Sequence, residues 1–290
     1  MINNPKVVLE LNNVHFKYKE VKKWNLKDIN LKITKGSFNI ITGPTGSGKS
    51  TLLKIVRGFN EIEKGKLSGN IYLLGKELSY YSIEDIGKFI GIIFQNPSTQ
   101  IHQMSVIEEI MSGPLYQGNS WKESKEIGEY ILKQFFDISY YNKNPINLSY
   151  GEMQRVALAA CLSMKCEILL LDEPFSFLDF NEIKKLIEFL LLLKRQGKTI
   201  IVATHEIEHF INFADQIILL NKGNIILKDT PQNVFYKYSK AYNEVLELPL
   251  FINISIALKL LNLEAISMNL LSLSVGSTRS SFSKSIIMSA

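Results

Sequence analysis

An α/β fold built around a phosphate-binding loop is predicted for this chain, with an antiparallel β layer, an inserted α-helical subdomain and a C-terminal helical tail. Three observations predict it. The first is the string Gly43-Pro44-Thr45-Gly46-Ser47-Gly48-Lys49-Ser50-Thr51, which fits G-x-x-x-x-G-K-[ST] and lies between an apolar strand candidate at 37–41 and a segment of helical spacing at 50–59. The second is an apolar run at 167–171 that delivers Asp172 and Glu173 to its C-terminal end, the edge at which open parallel sheets bind ligands. The third is the order of the remaining patterns: alternating strands first, a long helical stretch next, then strand, helix and strand again.

The elements follow in order. Residues 7–18, 31–33 and 67–74 alternate apolar and polar side chains, the pattern of antiparallel strands with one buried face, and 89–94 reads as a further strand. Residues 102–165 are mostly of helical spacing, including a helix at 152–162. After them come a helix at 181–195, a strand at 199–203, a helix at 206–213 and two short strands around Asn221-Lys222-Gly223-Asn224. Beyond about residue 240, Phe251, Ile254, Leu258 and Leu261 recur at helical spacing, a stripe that must be buried against something. Two units are expected: 1–240, with the helical subdomain at about 98–165, and a tail at 241–290 that is a candidate dimerisation segment with a Ser-rich, flexible end from 272. No internal repeat is found.

The loop has a definite chemistry. Gly43, Gly46 and Gly48 let the backbone close round phosphate groups, Lys49 neutralises the β and γ phosphates of a nucleotide, and Ser50 is a ligand for Mg²⁺. Asp172 is the second expected Mg²⁺ ligand. Glu173, next to the metal, is placed to polarise a water, the general-base role in phosphoanhydride hydrolysis.

These residues, with four further motifs in a fixed order, give the chain its resemblance to the ATP-binding cassette (ABC) ATPases. Besides the loop at 43–51 and Asp172-Glu173, it has Phe94-Gln95-Asn96-Pro97, like the family's Q-loop, and Leu148-Ser149-Tyr150-Gly151-Glu152-Met153-Gln154, like the signature segment. Ser176-Phe177-Leu178-Asp179 is similar to the D-loop, and Ala203-Thr204-His205-Glu206 to the switch-histidine segment. Tyr18, in His15-Phe16-Lys17-Tyr18, matches the aromatic that stacks on adenine. The resemblance covers about residues 5–235 and implies a P-loop NTPase core of ABC ATPase type that binds ATP and Mg²⁺ and hydrolyses ATP. It implies that Gln95 senses the metal and the attacking water, that His205 contacts the γ-phosphate, and that Ser149, Gly151 and Asp179 complete the site of a second cassette subunit in a homo- or heterodimer. The chain departs from the commonest signature, L-S-G-G-Q, at Tyr150 and Glu152, leaving Ser149 and Gly151 intact.

A narrower resemblance follows the Q-loop. Gln95-Asn96-Pro97-Ser98-Thr99-Gln100-Ile101, continued by Val106-Ile107-Glu108-Glu109-Ile110 and Gly113-Pro114, is similar to energy-coupling factor transporter ATPases, which drive vitamin and transition-metal uptake. It implies a groove near Gln100 for a transmembrane scaffold subunit whose arginines meet Glu108 or Glu109, a substrate-binding membrane subunit beside it, and a peripheral position on the cytoplasmic face of the membrane. The transported substrate is selected by a membrane partner and is not legible here.

Composition agrees with this class. With 290 residues, 46% hydrophobic and 21% charged, the chain can bury one large core or a core with small subdomains. Its apolar runs are too short or too broken to span a bilayer, and residues 1–6 lack the apolar stretch of a secretory signal. The net charge of +5 is spread along the chain and points to no nucleic-acid partner. Cys161 and Cys166 have no zinc spacing around them and read as buried free thiols. The alternatives are a soluble cassette acting in DNA repair or translation, another transporter's cassette, and a nucleotide-gated binding protein with little turnover. The first usually carries a long coiled-coil insertion or two fused cassettes, neither of which is found, and Glu173 with His205 argues against the last.

Overall fold

The computed structural model describes residues 6–60 and 65–246. The tail stripe at Phe251, Ile254, Leu258 and Leu261, and the Ser-rich end, lie outside them.

Two sheets pack face to face across one of three cores. β1 (Val7–Lys17), β2 (Leu26–Thr34), β4 (Lys66–Leu73) and β5 (Lys76–Glu77) form an antiparallel sheet in the order β2-β1-β4-β5. The second sheet is ordered β10-β9-β3-β8-β7-β6, with β3 (Phe38–Thr42), β6 (Ile90–Ile93), β7 (Ile168–Asp172), β8 (Thr199–Ala203) and β9 (Gln216–Asn221) parallel and β10 (Asn224–Asp229) antiparallel at its edge. Every residue of β3, β6, β7 and β8 is buried, because both faces of this sheet are covered.

The period of two divides the strands between two cores. Ile41, Leu170, Ile201 and Leu220 face the antiparallel sheet together with Leu52, Ile55 and Val56 of α1 (Lys49–Val56). Ile40, Leu169, Leu171, Val202 and Leu219 face the opposite way, onto Leu186, Leu190 and Leu193 of α6 (Phe180–Arg195). The helical subdomain has its own core, in which Val106, Ile107 and Ile110 of α3 (Val106–Tyr116) meet Leu132 of α4 (Trp121–Phe135) and Val156 and Ala159 of α5 (Tyr150–Ser163).

Three expectations change. The segment predicted as a helix at 206–213 has a single helical turn, Ile207–His209. Aromatic packing bends the rest: Phe210 stacks on Phe175 at 4.6 Å and lies 5.5 Å from Phe38, which fixes the descent into β9. A short helix not expected from sequence, α2 (Ile83–Phe89), sits before β6, capped by the Ser82 side chain. Past β10 the chain remains on the second core, since Tyr242 of α7 (Ser239–Asn243) is buried against Phe235, and Val245 and Leu246 pack beside it. Cys161 and Cys166 are buried free thiols, as expected. Among the described residues no helix is long and apolar enough to cross a membrane.

Candidate functional site

The loop 43–48 runs from the C-terminal end of β3 into the N-terminus of α1, so its N–H groups and the helix dipole converge on one cleft. Its back wall is the β9–β10 hairpin. A Cβ on Gly43 would lie 2.0 Å from the Leu220 carbonyl oxygen, so only glycine lets the loop lie this close. The Gly223 N–H donates to the Ser47 carbonyl at 2.9 Å, and the Lys27 N–H to the Gly223 carbonyl at 2.7 Å, tying the hairpin turn to both the loop and β2. Gly46 is different. Its φ is +78°, and a Cβ there would meet nothing within 4 Å, so this glycine is required by backbone conformation and faces open space.

Lys49, Ser50, Thr51, Thr45, Gly46 and Gly48 line the cleft with Asn25, Gln95, Glu173 and His205, which come from four other parts of the chain. The Lys49 side chain is buried, donating to the Gly43 carbonyl at 2.7 Å and the Pro44 carbonyl at 3.4 Å. Glu173 joins the two sides: Oε1 lies 3.4 Å from Lys49 Nζ, and Oε2 lies 2.9 Å from His205 Nδ1 and accepts the His205 N–H at 3.3 Å. Glu173 is held there by its backbone, with φ at +44° and its N–H donating to the Ala203 carbonyl at 2.7 Å. A non-glycine residue in this conformation is uncommon and places the carboxylate at the end of β7 facing the end of β8.

Asp172 ends β7 one residue earlier and is buried. Burial pushes its carboxyl above the usual carboxylate range, against the opposing effect of a hydrogen bond with the Ser50 side chain. Its Oδ1 has no hydrogen-bond partner within the protein. An orphaned buried carboxylate oxygen beside a hydroxyl is a hard, oxygen-only donor pair, which suits Mg²⁺. The nucleotide side fits as well, given the glycine loop, the buried ammonium of Lys49 and the open cleft. Tyr18 does not line the cleft; its hydroxyl lies 3.1 Å from Oγ1 of Thr51, which does, and its ring packs edge-on to Phe16 at 5.0 Å.

Ser149, Gly151 and Asp179 do not line this cleft. Ser149 caps α5 and forms a reciprocal capping box with Glu152, whose carboxylate also accepts from Tyr140 Oη; the Ser149 N–H reaches Glu152 Oε2 at 2.8 Å. Tyr140, through that bond, holds the Glu152 carboxyl below its ordinary range. Asp179 caps α6 in the same way with Glu182.

The comparisons bear on what this arrangement is. The family model described as ABC transporter matches residues 26–176, and a second, described as an AAA domain, matches 144–210. The energy-coupling factor transporter ATP-binding protein EcfA2 of Enterococcus faecalis is 38% identical over 212 residues, spanning 72% of this chain and 73% of the relative. The chain belongs to the ABC transporter ATPase family. The corresponding EcfA protein of Methanocaldococcus jannaschii is 33% identical over 244 residues, 83% of this chain and 86% of the relative. Among solved structures, the cassette cbiO1 of Clostridium perfringens, described as part of the ABC transporter complex cbiONQ, superposes with a TM-score of 0.71 at 30% identity over 86% of this chain and 98% of the other. A dimeric ATP-binding cassette bound to ADP and Pi in a post-hydrolysis state gives 0.67 at 29% identity over 77% of this chain and 98% of the other. This cassette therefore has the ABC ATPase fold, binds nucleotide and is an ATP hydrolase.

Two residues expected at a partner groove are turned inward in this cassette. Glu109 is buried, and its Oε2 accepts the N–H groups of His102 and Gln103 at 2.9 Å each. Gln100 closes the end of β6, accepting from the Phe94 N–H at 2.8 Å and donating to the Ile92 carbonyl at 2.9 Å. Only Glu108 of the pair is exposed, taking a hydrogen bond from the Ser105 hydroxyl at 2.8 Å. Sequence reasoning also missed Asn25, which lines the cleft and accepts from the Tyr18 N–H at 3.3 Å, because no motif contains it.

Proposed function

We propose that this cassette is the ATP-binding and ATP-hydrolysing subunit that energises a membrane importer of energy-coupling factor type, for a vitamin or a metal ion, by ATP-driven closure of a cassette dimer. The observation that carries the catalytic part is the Glu173 carboxylate, set between Lys49 and His205 at the mouth of the phosphate loop. Tyr18 packs against adenine, and Asn25 lies on the same side of the cleft. The N–H groups of residues 43–51 and the Lys49 ammonium hold the β and γ phosphates. Ser50 and Asp172, with Gln95 nearby, would hold Mg²⁺, which would supply positive charge to offset that of the phosphate oxygens. Glu173 accepts a proton from the attacking water, and His205 contacts the γ-phosphate oxygens.

Dimer closure is supported by what the cleft lacks on its own chain. Ser149 and Asp179 stand outside it, exposed at the N-caps of α5 and α6, where they would meet the nucleotide of a second cassette; Gly151, in the first turn of α5, is buried. The importer assignment is supported by relatives named as energy-coupling factor subunits and by the exposed Glu108 beside the Q-loop segment. On this reading the cassette sits peripherally on the cytoplasmic face, against a transmembrane scaffold and a substrate-binding membrane subunit.

Affinity purification of the tagged chain from detergent-solubilised membranes, followed by identification of the co-purifying subunits and uptake in proteoliposomes, tests the reading. Integral membrane partners and uptake that is lost with Glu173→Gln are expected. A chain recovered alone from the soluble fraction, with full ATPase activity, would overturn it.

A further inference from the structure

We propose that Tyr150 is a positioning residue for ATP hydrolysis: its hydroxyl donates to the backbone carbonyl of Gln95 and so holds Gln95 at the nucleotide cleft. The proposal rests on the reading of Gln95 as a residue that acts on bound nucleotide.

Three observations converge. The hydrogen bond from Tyr150 Oη to the Gln95 carbonyl joins the first residue of α5 to the segment leaving β6, two parts of the chain 55 residues apart. On one side of Tyr150, its ring packs on Phe177 with centroids 5.0 Å apart at 57°, and Phe177 stands 74% exposed with φ at +75° in the turn after β7. Beneath Tyr150, the start of α5 is held against the same turn and against α6. Gln154 Nε2 donates to the Pro174 carbonyl at 2.5 Å, and a Cβ on Gly151 would come within 2.2 Å of Glu182 Oε1.

The start of α5 is thus fixed against the segment that carries Glu173. Tyr150 extends that fixed point to Gln95. Gln95 needs such support because it is exposed and lies outside any strand or helix, with Phe94 anchored behind it by Gln100 and Asn96 ahead of it capping a turn at Ser98. Without the Tyr150 hydroxyl, the peptide between those two anchors loses the bond that orients it. A glycine at position 150, as in the commonest signature segment, has no side chain to make this bond. The departure from L-S-G-G-Q is therefore a gain of a contact as well as a loss of flexibility.

Tyr150→Phe keeps the ring on Phe177 and removes only the donor. A net hydrogen bond of ordinary strength, felt wholly in positioning, predicts that kcat for phosphate release by the purified full-length protein falls roughly three- to tenfold. KM for ATP should stay within about twofold and the melting temperature should not move, since the phosphate loop and Lys49, which supply most of the ATP binding, are untouched by the substitution. In a Gln95→Ala background, adding Tyr150→Phe should change kcat by less than about twofold, because the side chain being positioned is gone. An unchanged kcat in Tyr150→Phe, or an equal loss in both backgrounds, overturns the tie. A wild-type rate in Gln95→Ala alone instead removes Gln95 from the site, and the underlying reading of that residue fails first.

Discussion

Asp172 gives the sharpest test of the metal site, because its burial has a cost that the folded chain carries whenever the carboxylate is charged. Its Oδ1 is buried without a partner, and burial raises its pKa despite the Ser50 hydrogen bond and the nearby Lys49 and Lys54 charges. The direction of that shift says that desolvation wins over those favourable contacts. Replacing the charge by a neutral amide of the same shape, Asp172→Asn, should therefore stabilise the nucleotide-free chain. An orphaned buried polar group costs about 1–3 kcal/mol, and the amide retains part of that cost, so a gain of about 1 kcal/mol is expected. For a domain of this size that is a rise of roughly 2–4 °C in melting temperature. The sign with pH follows from linkage. A folded pKa raised above the unfolded one makes the penalty largest above the folded value, so the advantage of Asp172→Asn should be full at neutral pH and shrink as pH falls through the wild type's raised value. The assay is a melting curve with and without ATP and Mg²⁺, at neutral and acid pH. Wild type should gain stability from ATP in a manner that depends on Mg²⁺, and the variant should lose that dependence. A variant that melts below wild type without nucleotide, or that keeps the Mg²⁺-dependent gain, refutes the assignment.

Three further outcomes are expected. Glu173→Gln should keep ATP binding while steady-state phosphate release falls by about two orders of magnitude or more, the scale of one lost catalytic contact, and near-normal turnover would remove Glu173 from the mechanism. Glu109→Leu should lower the melting temperature, since it removes the buried carboxylate that accepts from two part-buried N–H groups, at about 0.5–1.5 kcal/mol each, whereas Glu108→Lys should leave stability and basal ATPase intact and reduce uptake; equal melting curves for the two would contradict the inward placement of Glu109. Ser149→Arg mixed with Lys49→Ala should recover activity that neither variant has alone, and no recovery, with mixed dimers shown to form, would exclude a site shared between two chains.

The parts of this fold that were legible in the sequence are those in which a local pattern and the burial agree. The strand ending at Asp172 is an unbroken apolar run because both of its faces are covered, and β1 alternates because one face meets the core. The cleft was legible for the same kind of reason, since the loop and the end of β7 are each fixed by local backbone. Glu108 and Glu109 show where this stops. Neighbours on a helix point about 100° apart, so one faces solvent and the other the body of the subdomain, and only the position of the 102–103 backbone decides which. Gln100 misled in a similar way, because a glutamine that closes a strand end and one that lines a groove have the same sequence signature. The segment at 206–213 carried helical spacing, but Phe175, Phe38 and Phe210 come from three separate stretches, and their packing overrides local preference.

The clasp between Gly223 and Ser47 also orders events during synthesis. The loop at 43–48 leaves the ribosome early, yet its back wall is Leu220 and Gly223, nearly 180 residues later in the chain. A nascent chain that stops short of β9 carries the complete loop sequence without the surface that shapes it. Such intermediates should bind nucleotide poorly, so ATP becomes a ligand of the finished domain and not of its precursors. The cell's ATP then stabilises only chains whose last sheet hairpin has docked.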